Sequence, residues 1–211
     1  MDVAPYIDHT MLKADATSAT IKRYCQEAKE HGFASVCVNS KNVALVEAEL
    51  SGSSVKTCSV IGFPLGAMST VAKVFEARQA VADGADELDM VMDIGAAKEA
   101  DWERVREDIA AVVTAVAPHC VKVILETCLL TKDEIILACK AAQAAGAAFV
   151  KTSTGFSTGG AKAEDVRLMR ATVGDQMGVK ASGGIRSSAQ AIELLEAGAD
   201  RLGAGDGLKL L

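Results

Sequence analysis

A chain of 211 residues, half of them apolar, is long enough to bury a substantial core. Its formal net charge of -6, with no block of lysine and arginine, argues against nucleic acid or an anionic membrane as the main partner. No apolar run approaches the roughly 18 residues of a membrane span, and the opening MDVAPYIDHT lacks the basic start and apolar centre of a secretion signal.

Six cysteines, at positions 25, 37, 58, 120, 128 and 139, are scattered without a C-x-x-C pair, several of them in apolar runs such as SVCVN and KTCSVIGF. That pattern reads as reduced, buried thiols in a cytoplasmic protein. The three histidines lie far apart, in no H-x-H or H-E-x-x-H spacing, so neither a metal nor another cofactor is expected.

Along the chain, YIDHT (6–10) reads as a first strand. Four later segments share one grammar: KEHGFASVCV, VADGADELDM, QAAGAAFVKT and LEAGADRLGA each end a helix, turn on a glycine and begin a strand. Glycine suits the turn because it accepts a left-handed backbone. The glycines (Gly32, Gly84, Gly146, Gly198) recur roughly every 50 to 60 residues, room for two strand–helix units of roughly 25 to 30 residues each. Midway fall VKTCSVIGF (55–63), VKVILET (121–127) and GVKASGG (178–184), giving eight strands. Between them, Trp102, Val105, Ile109, Val112 and Val116 recur at helical spacing in 101–117. Thr131 and Glu134 form a T-x-x-E capping box before IILACKAAQAAG. Eight alternating units with no linker predict one domain over 1–211, a (β/α)8 TIM barrel, with an open doubly wound sheet as the alternative. Only GLKLL follows the last strand, so its helix is at most a stub.

Charges inside strands call for a reason, because barrel strands are covered outside and filled inside. Asp89 stands between Leu88 and Met90, Lys151 follows Phe149 and Val150 with no acidic neighbour, and Lys180 interrupts GVKASGG. Either lysine alone reads as a solvated strand end, and Asp89 alone as a structural partner. Together they converge on the one mouth to which all eight strands deliver their carboxyl ends. Lys56 and Lys122, at strand beginnings, read as solvated at the opposite end, as do Asp86 and Glu87. Glu126 and Asp93, near strand ends, read as residues that line the mouth, without assigned chemistry. Cys37 ends a strand, either as a small core residue or as a thiol open to the mouth, where unsaturated aldehydes would attack it. Phe63 and Phe156 read equally as mouth or packing residues.

Paired lysines suggest a reaction. An amine attacks a carbonyl only when neutral, and a lysine with the ordinary pKa near 10.4 is neutral about once in a few thousand molecules at pH 7. Lowering that pKa by roughly 3 units costs about 4 kcal/mol, which desolvation and a neighbouring positive charge supply. One lysine then serves as nucleophile and the other as its perturber, while a carboxylate between them shuttles protons through water. This is metal-free Schiff-base chemistry of the class I aldolase type. The rivals are a phosphosugar isomerase using Asp89 as base on the same barrel, and a barrel that only binds a sugar phosphate.

The motifs YIDHTMLKADAT, SVCVN, VIGFPLGA, GADELDMVMDIGA, ETCLLT, VKTSTGFSTGGA and VKASGGIR, in this order from about residue 6 to residue 203, closely resemble the 2-deoxyribose-5-phosphate aldolase family. The resemblance implies a (β/α)8 barrel that reversibly cleaves 2-deoxy-D-ribose 5-phosphate to D-glyceraldehyde 3-phosphate and acetaldehyde. It implies Lys151 as the Schiff-base residue, Lys180 as its perturber and Asp89 as the proton shuttle. Asp8 and Thr10 are implied in the polar mouth, and Thr154 in the proton relay. By analogy, a partner copy covering the short C-terminal end would make a homodimer.

For phosphate, Gly183 and Gly184 after strand seven permit close backbone approach, and Ser187 or Ser188 caps the next helix. After strand eight the family typically reads G-T-S-[SA]-G, whereas this chain has Ala204, Gly205 and Asp206. At about 4 Å and an effective dielectric near 20, a carboxylate and a phosphate charge repel by about 4 kcal/mol. Either Asp206 points away from the phosphate, or the phosphate preference is weakened, or the substrate is less phosphorylated than the family norm and Asp206 accepts from a sugar hydroxyl.

Overall fold

The computed structural model describes residues 1–211. Its strands are β1 Ile7–Met11, β2 Ser35–Val38, β3 Lys56–Ile61, β4 Glu87–Val91, β5 Cys120–Ile124, β6 Phe149–Lys151, β7 Gly178–Ser182 and β8 Arg201–Ala204. They close in sequence order into a parallel barrel, and the pairing of β1 with β8 (Asp8 beside Gly203) excludes the open sheet. The helices are α1 Ser18–His31, α2 Val43–Leu50, α3 Thr70–Ala82, the short α4 Ile94–Lys98, α5 Trp102–Val116, α6 Lys132–Ala144, α7 Ala163–Val173 and α8 Ser188–Glu196. After β8 comes only the 3-10 turn Gly207–Leu210.

Local chemistry sets these boundaries. Gly32 closes α1 at φ 67, and at Gly84 (φ 107) an added Cβ would meet the Glu47 Cγ at 2.6 Å. Thr131 and Glu134 form the reciprocal capping box that opens α6, and Asp101 caps α5. The α5 stripe Val105, Ile109, Val112 and Val116 is buried against the barrel as its spacing requires.

The main hydrophobic core, 52 buried residues from Val3 to Leu210, contains most of these sheet and helix residues. A separate small cluster holds Leu12, Cys37, Cys58 and Val60, with Phe63 against it. The rest of the lumen is polar. Arg201 of β8 reaches Glu87 of β4 at 2.9 Å, and Lys180 of β7 pairs with Asp8 of β1. Side chains from such distant strands meet only inside the closed cylinder.

Two expectations fail here. Lys122 is not solvated: it is fully buried and donates to Glu87 Oε2 at 2.6 Å and Asp89 Oδ1 at 2.9 Å. Glu87 does not face solvent: it accepts from Lys122 and Arg201 and is only 9 % exposed. The strand period of two explains Glu87, since an inward Asp89 brings residue 87 inward as well. Lys56 is exposed as expected, 3.7 Å from the half-exposed Asp86.

Candidate active site

Asp89 is the hub. Its Oδ2 accepts a hydrogen bond from Lys151 Nζ at 2.7 Å and another from Lys180 Nζ at 2.7 Å, so the two nitrogens are no further apart than twice that distance. Its Oδ1 accepts from Lys122 Nζ at 2.9 Å and from the Cys58 thiol at 3.3 Å. Strand register builds the arrangement: Asp89 lies beside Lys122, Lys151 beside Lys180, and Ile124 beside Lys151. The sequence puts no acid next to Lys151, but β4, two strands away around the barrel, supplies Asp89, and the lysine is paired.

Electrostatics fix most of these charges. Burial pushes the Asp89 carboxyl up, but Lys122, Lys151 and Lys180 outweigh it and hold the pKa well below the ordinary carboxylate range. Burial likewise opposes ionisation of Asp8, and Lys180, Lys122 and Arg201 override it. Lys180 and Lys122 are pushed down by burial and then further up by the carboxylates around them, Asp8 and Asp89 for Lys180 and chiefly Asp89 for Lys122. Both remain cations.

Of this cluster only Lys151 reaches the open mouth. It lines a cavity of about 570 Å³ together with Thr10, Leu12, Thr154, Phe156, Gly183, Gly184, Gly205 and Asp206. Asp8 does not line it. Fully buried, Asp8 accepts from Ser35 Oγ at 2.7 Å and Arg201 Nε at 2.9 Å and pairs with Lys180, below the mouth. Cys37 is also fully buried and not open to the mouth. Phe156 lines the cavity and packs edge-on against Phe63, ring centroids 5.3 Å apart.

The loop after Lys151 hangs on Glu126. That residue is buried, sits at φ 58 in the left-handed region, and accepts from the Thr154 amide at 3.1 Å and from the Thr154 hydroxyl. Asp93 instead caps α4 and pairs with Arg104 at 2.9 Å. On the opposite rim, Tyr24 Oη donates to the Gly205 carbonyl at 2.6 Å, and the Gly207 amide donates to His9 Nδ1 at 3.2 Å. These two contacts pin the loop carrying Asp206, whose carboxylate pairs with Lys209 at 3.1 Å. Lys13 on the same wall is exposed. Gly183 and Gly184, at φ 85 and 76, bring backbone to the cavity ahead of α8, which Ser187 caps.

Sequence reading misplaced Lys122 and Glu87, gave Glu126 no role, and did not single out Arg201, Cys58 or Lys13. Alternation along β4 was the available signal for Glu87. For the others, cross-barrel register was needed, and no local pattern carries it.

A closed parallel barrel that gathers three lysines around one carboxylate, with one of them facing a cavity at the carboxyl ends of the strands, has the form of a barrel enzyme equipped for amine–carbonyl chemistry. The family model described as DeoC/LacD family aldolase matches residues 3–208, and the chain belongs to that family. It is 57 % identical over 211 residues to the deoxyribose-phosphate aldolase of Finegoldia magna, covering 100 % of this chain and 99 % of the relative. It is 55 % identical to that of Clostridium tetani, covering 100 % and 98 %. Among solved structures, the tetrameric deoxyribose phosphate aldolase of Aeropyrum pernix superposes with a TM-score of 0.92 at 34 % identity, covering 99 % of this chain and 88 % of that one.

Proposed function

We propose that this chain is a class I aldolase that reversibly cleaves 2-deoxy-D-ribose 5-phosphate to D-glyceraldehyde 3-phosphate and acetaldehyde, with Lys151 carrying the substrate as a Schiff base. The observation that supports this best is the sharing of Asp89 Oδ2 by Lys151 and Lys180, with only Lys151 open to the cavity. Charge balance supports it too. Four basic groups of the lumen (Lys122, Lys151, Lys180, Arg201) face three carboxylates (Asp8, Glu87, Asp89), and the set is neutral when Lys151 is the uncharged amine. The standing charge on Lys180 opposes a second one beside it.

The steps follow from this placement. Neutral Lys151 Nζ attacks C1 of the open-chain sugar, and loss of water leaves an iminium. That iminium accepts the electron pair of the C2–C3 bond as the C3 hydroxyl gives up its proton and D-glyceraldehyde 3-phosphate departs. Protonation of the enamine at C2 and hydrolysis release acetaldehyde and restore the amine. Asp89 Oδ2, nearest to both nitrogens, is the station through which water passes protons, with Thr154 close to the path and Thr10 on the cavity wall. Gly183, Gly184 and the α8 N-terminus receive the phosphate, with Lys13 offsetting Asp206.

Free thiols at all six cysteines support a reducing, cytoplasmic setting. The exposed Leu208 and Leu211 of the C-terminal stub support pairing into a homodimer.

Borohydride reduction in the presence of acetaldehyde tests the assignment. The intact mass should rise by one reduced two-carbon adduct, mapped to Lys151 and absent from Lys151→Ala. Trapping that persists in Lys151→Ala excludes Lys151 as the nucleophile.

A further inference from the structure

Beside Asp89 lies a pair of thiols that the proposed reaction does not use. Cys37 of β2 and Cys58 of β3 are direct register partners on adjacent parallel strands. Their sulfurs and an Asp89 oxygen all lie within 4.8 Å of one another. Neighbouring strands run about 4.8 Å apart, inside the Cα separation of about 4.4 to 6.8 Å that a disulfide spans. Both residues are fully buried in one cluster with Leu12, against which Phe63 packs, and Leu12 lines the mouth cavity. The mouth cavity and the thiol pair thus share Leu12, which a small neutral oxidant passes to reach the sulfurs.

We propose that Cys37 and Cys58 form a peroxide-oxidisable dithiol whose disulfide disables Asp89. The Cys37 sulfur attacks one peroxide oxygen, the O–O bond breaks, and water leaves with the thiol proton, giving a sulfenic acid. Cys58 then attacks that sulfur, its hydrogen goes to the departing hydroxyl, and a second water leaves. Two thiols are oxidised by two electrons and one peroxide is reduced to two waters. The neighbouring Cys58 lowers the Cys37 thiol pKa, and Lys180 and Lys151 favour its thiolate, while burial drives Cys58 up. Cys58 gives its hydrogen to Asp89 and accepts from Lys122 Nζ at 3.6 Å, so Cys37 is the uncommitted sulfur and reacts first. The Cys58 hydrogen goes to Asp89 Oδ1 at 3.3 Å, and the disulfide removes it. Asp89 then keeps Lys122 on Oδ1 but loses its thiol donor.

The bond itself is independent of the proposed function; the loss of activity rests on the role given there to Asp89. The test treats the whole enzyme with hydrogen peroxide, alkylates the remaining thiols after unfolding, and maps the peptides. The expected product is lighter by two hydrogens, has four of its six cysteines alkylated, and carries a Cys37–Cys58 cross-linked peptide. Aldol cleavage should fall about tenfold, the effect of one hydrogen bond to a charged group, and return with dithiothreitol. Cys58→Ala and Cys37→Ala, each compared with its own untreated sample, should lose the thiol-reversible part of the inactivation. Six alkylated cysteines, a cross-link elsewhere, or the cross-link with undiminished activity each overturn the proposal.

Discussion

Lys122 donates to Asp89 Oδ1 at 2.9 Å and so leaves Oδ2 to the two lysines nearer the mouth. A carboxylate held by three lysine nitrogens is fixed in orientation, and this sets where the amine of Lys151 rests. Because Lys122 is fully buried, removing it leaves Glu87 and Asp89 as undercompensated charges. Lys122→Met should lower unfolding stability by about 3 to 5 kcal/mol and reduce turnover as well. Guanidinium titration measures the first, and a stability within 1 kcal/mol of wild type contradicts the network.

Lys180 is the charge that stays. Lys180→Leu keeps the volume and removes the cation between Asp8 and Asp89. Turnover should drop about 10²-fold or more, since a unit charge about 5 Å away at an effective dielectric near 20 is worth about 3 kcal/mol, and borohydride trapping at neutral pH should slow with it. Near-normal cleavage at pH 7 rules out the role.

Much of this was legible from residue type alone. Gly32, Gly84, Gly146 and Gly198 mark helix ends because a left-handed turn favours glycine, so the repeat and the closed barrel follow. Asp89, Lys151 and Lys180 stand out as charges inside apolar strands. Depth did not follow so easily. Whether Asp8 or Lys122 ends at the mouth or within the lumen depends on strand stagger, which pairs residues remote in sequence. Glu126 hides for another reason: its buried partner is the Thr154 hydroxyl, and neither residue advertises that contact in its own neighbourhood.

Glu126 gives the third prediction. It positions the Lys151 loop without touching the amine, holding the Thr154 amide and hydroxyl from 28 residues away. Glu126→Gln keeps one acceptor and places a donor against the other. Losing a charge-assisted bond of about 1.5 to 3 kcal/mol should lower kcat about 10- to 100-fold, with far less effect on the melting temperature. Unchanged kcat in Glu126→Gln would show that the loop does not depend on it.

Asp206 tests the departure from the family pattern. Its carboxylate lines the mouth cavity but is exposed and paired with Lys209, so solvent screens most of the repulsion expected at a phosphate. Asp206→Ser should raise kcat/KM for deoxyribose 5-phosphate relative to deoxyribose by about tenfold or less, corresponding to about 1 kcal/mol for a screened exposed charge. The gain should shrink as salt is added. A ratio unmoved by the substitution at low salt means that Asp206 does not meet the phosphate.

The same loop carries a pH dependence through His9. The ring stacks on Tyr24 at 4.0 Å between centroids, accepts the Gly207 amide at Nδ1, and therefore keeps its hydrogen on Nε2 for Glu27 Oε2 at 2.7 Å. Burial pushes the His9 pKa below its ordinary value, outweighing Glu27 and Asp206, while Arg23 acts in the same direction as burial. The unfolded chain takes up the proton near pH 6.5, whereas the folded one resists it. The stabilisation is therefore complete above about 6.5 and is lost as pH falls through that value toward the lower folded pKa. A proton forced onto Nδ1 would face the Gly207 N–H and release the loop. Between pH 7 and pH 5, KM for deoxyribose 5-phosphate should rise several-fold more in wild type than in His9→Asn, whose amide offers an acceptor to Gly207 at every pH. Ionisation of the substrate phosphate is common to both enzymes and cancels in the comparison. Parallel KM profiles for the two would mean that His9 does not govern the loop.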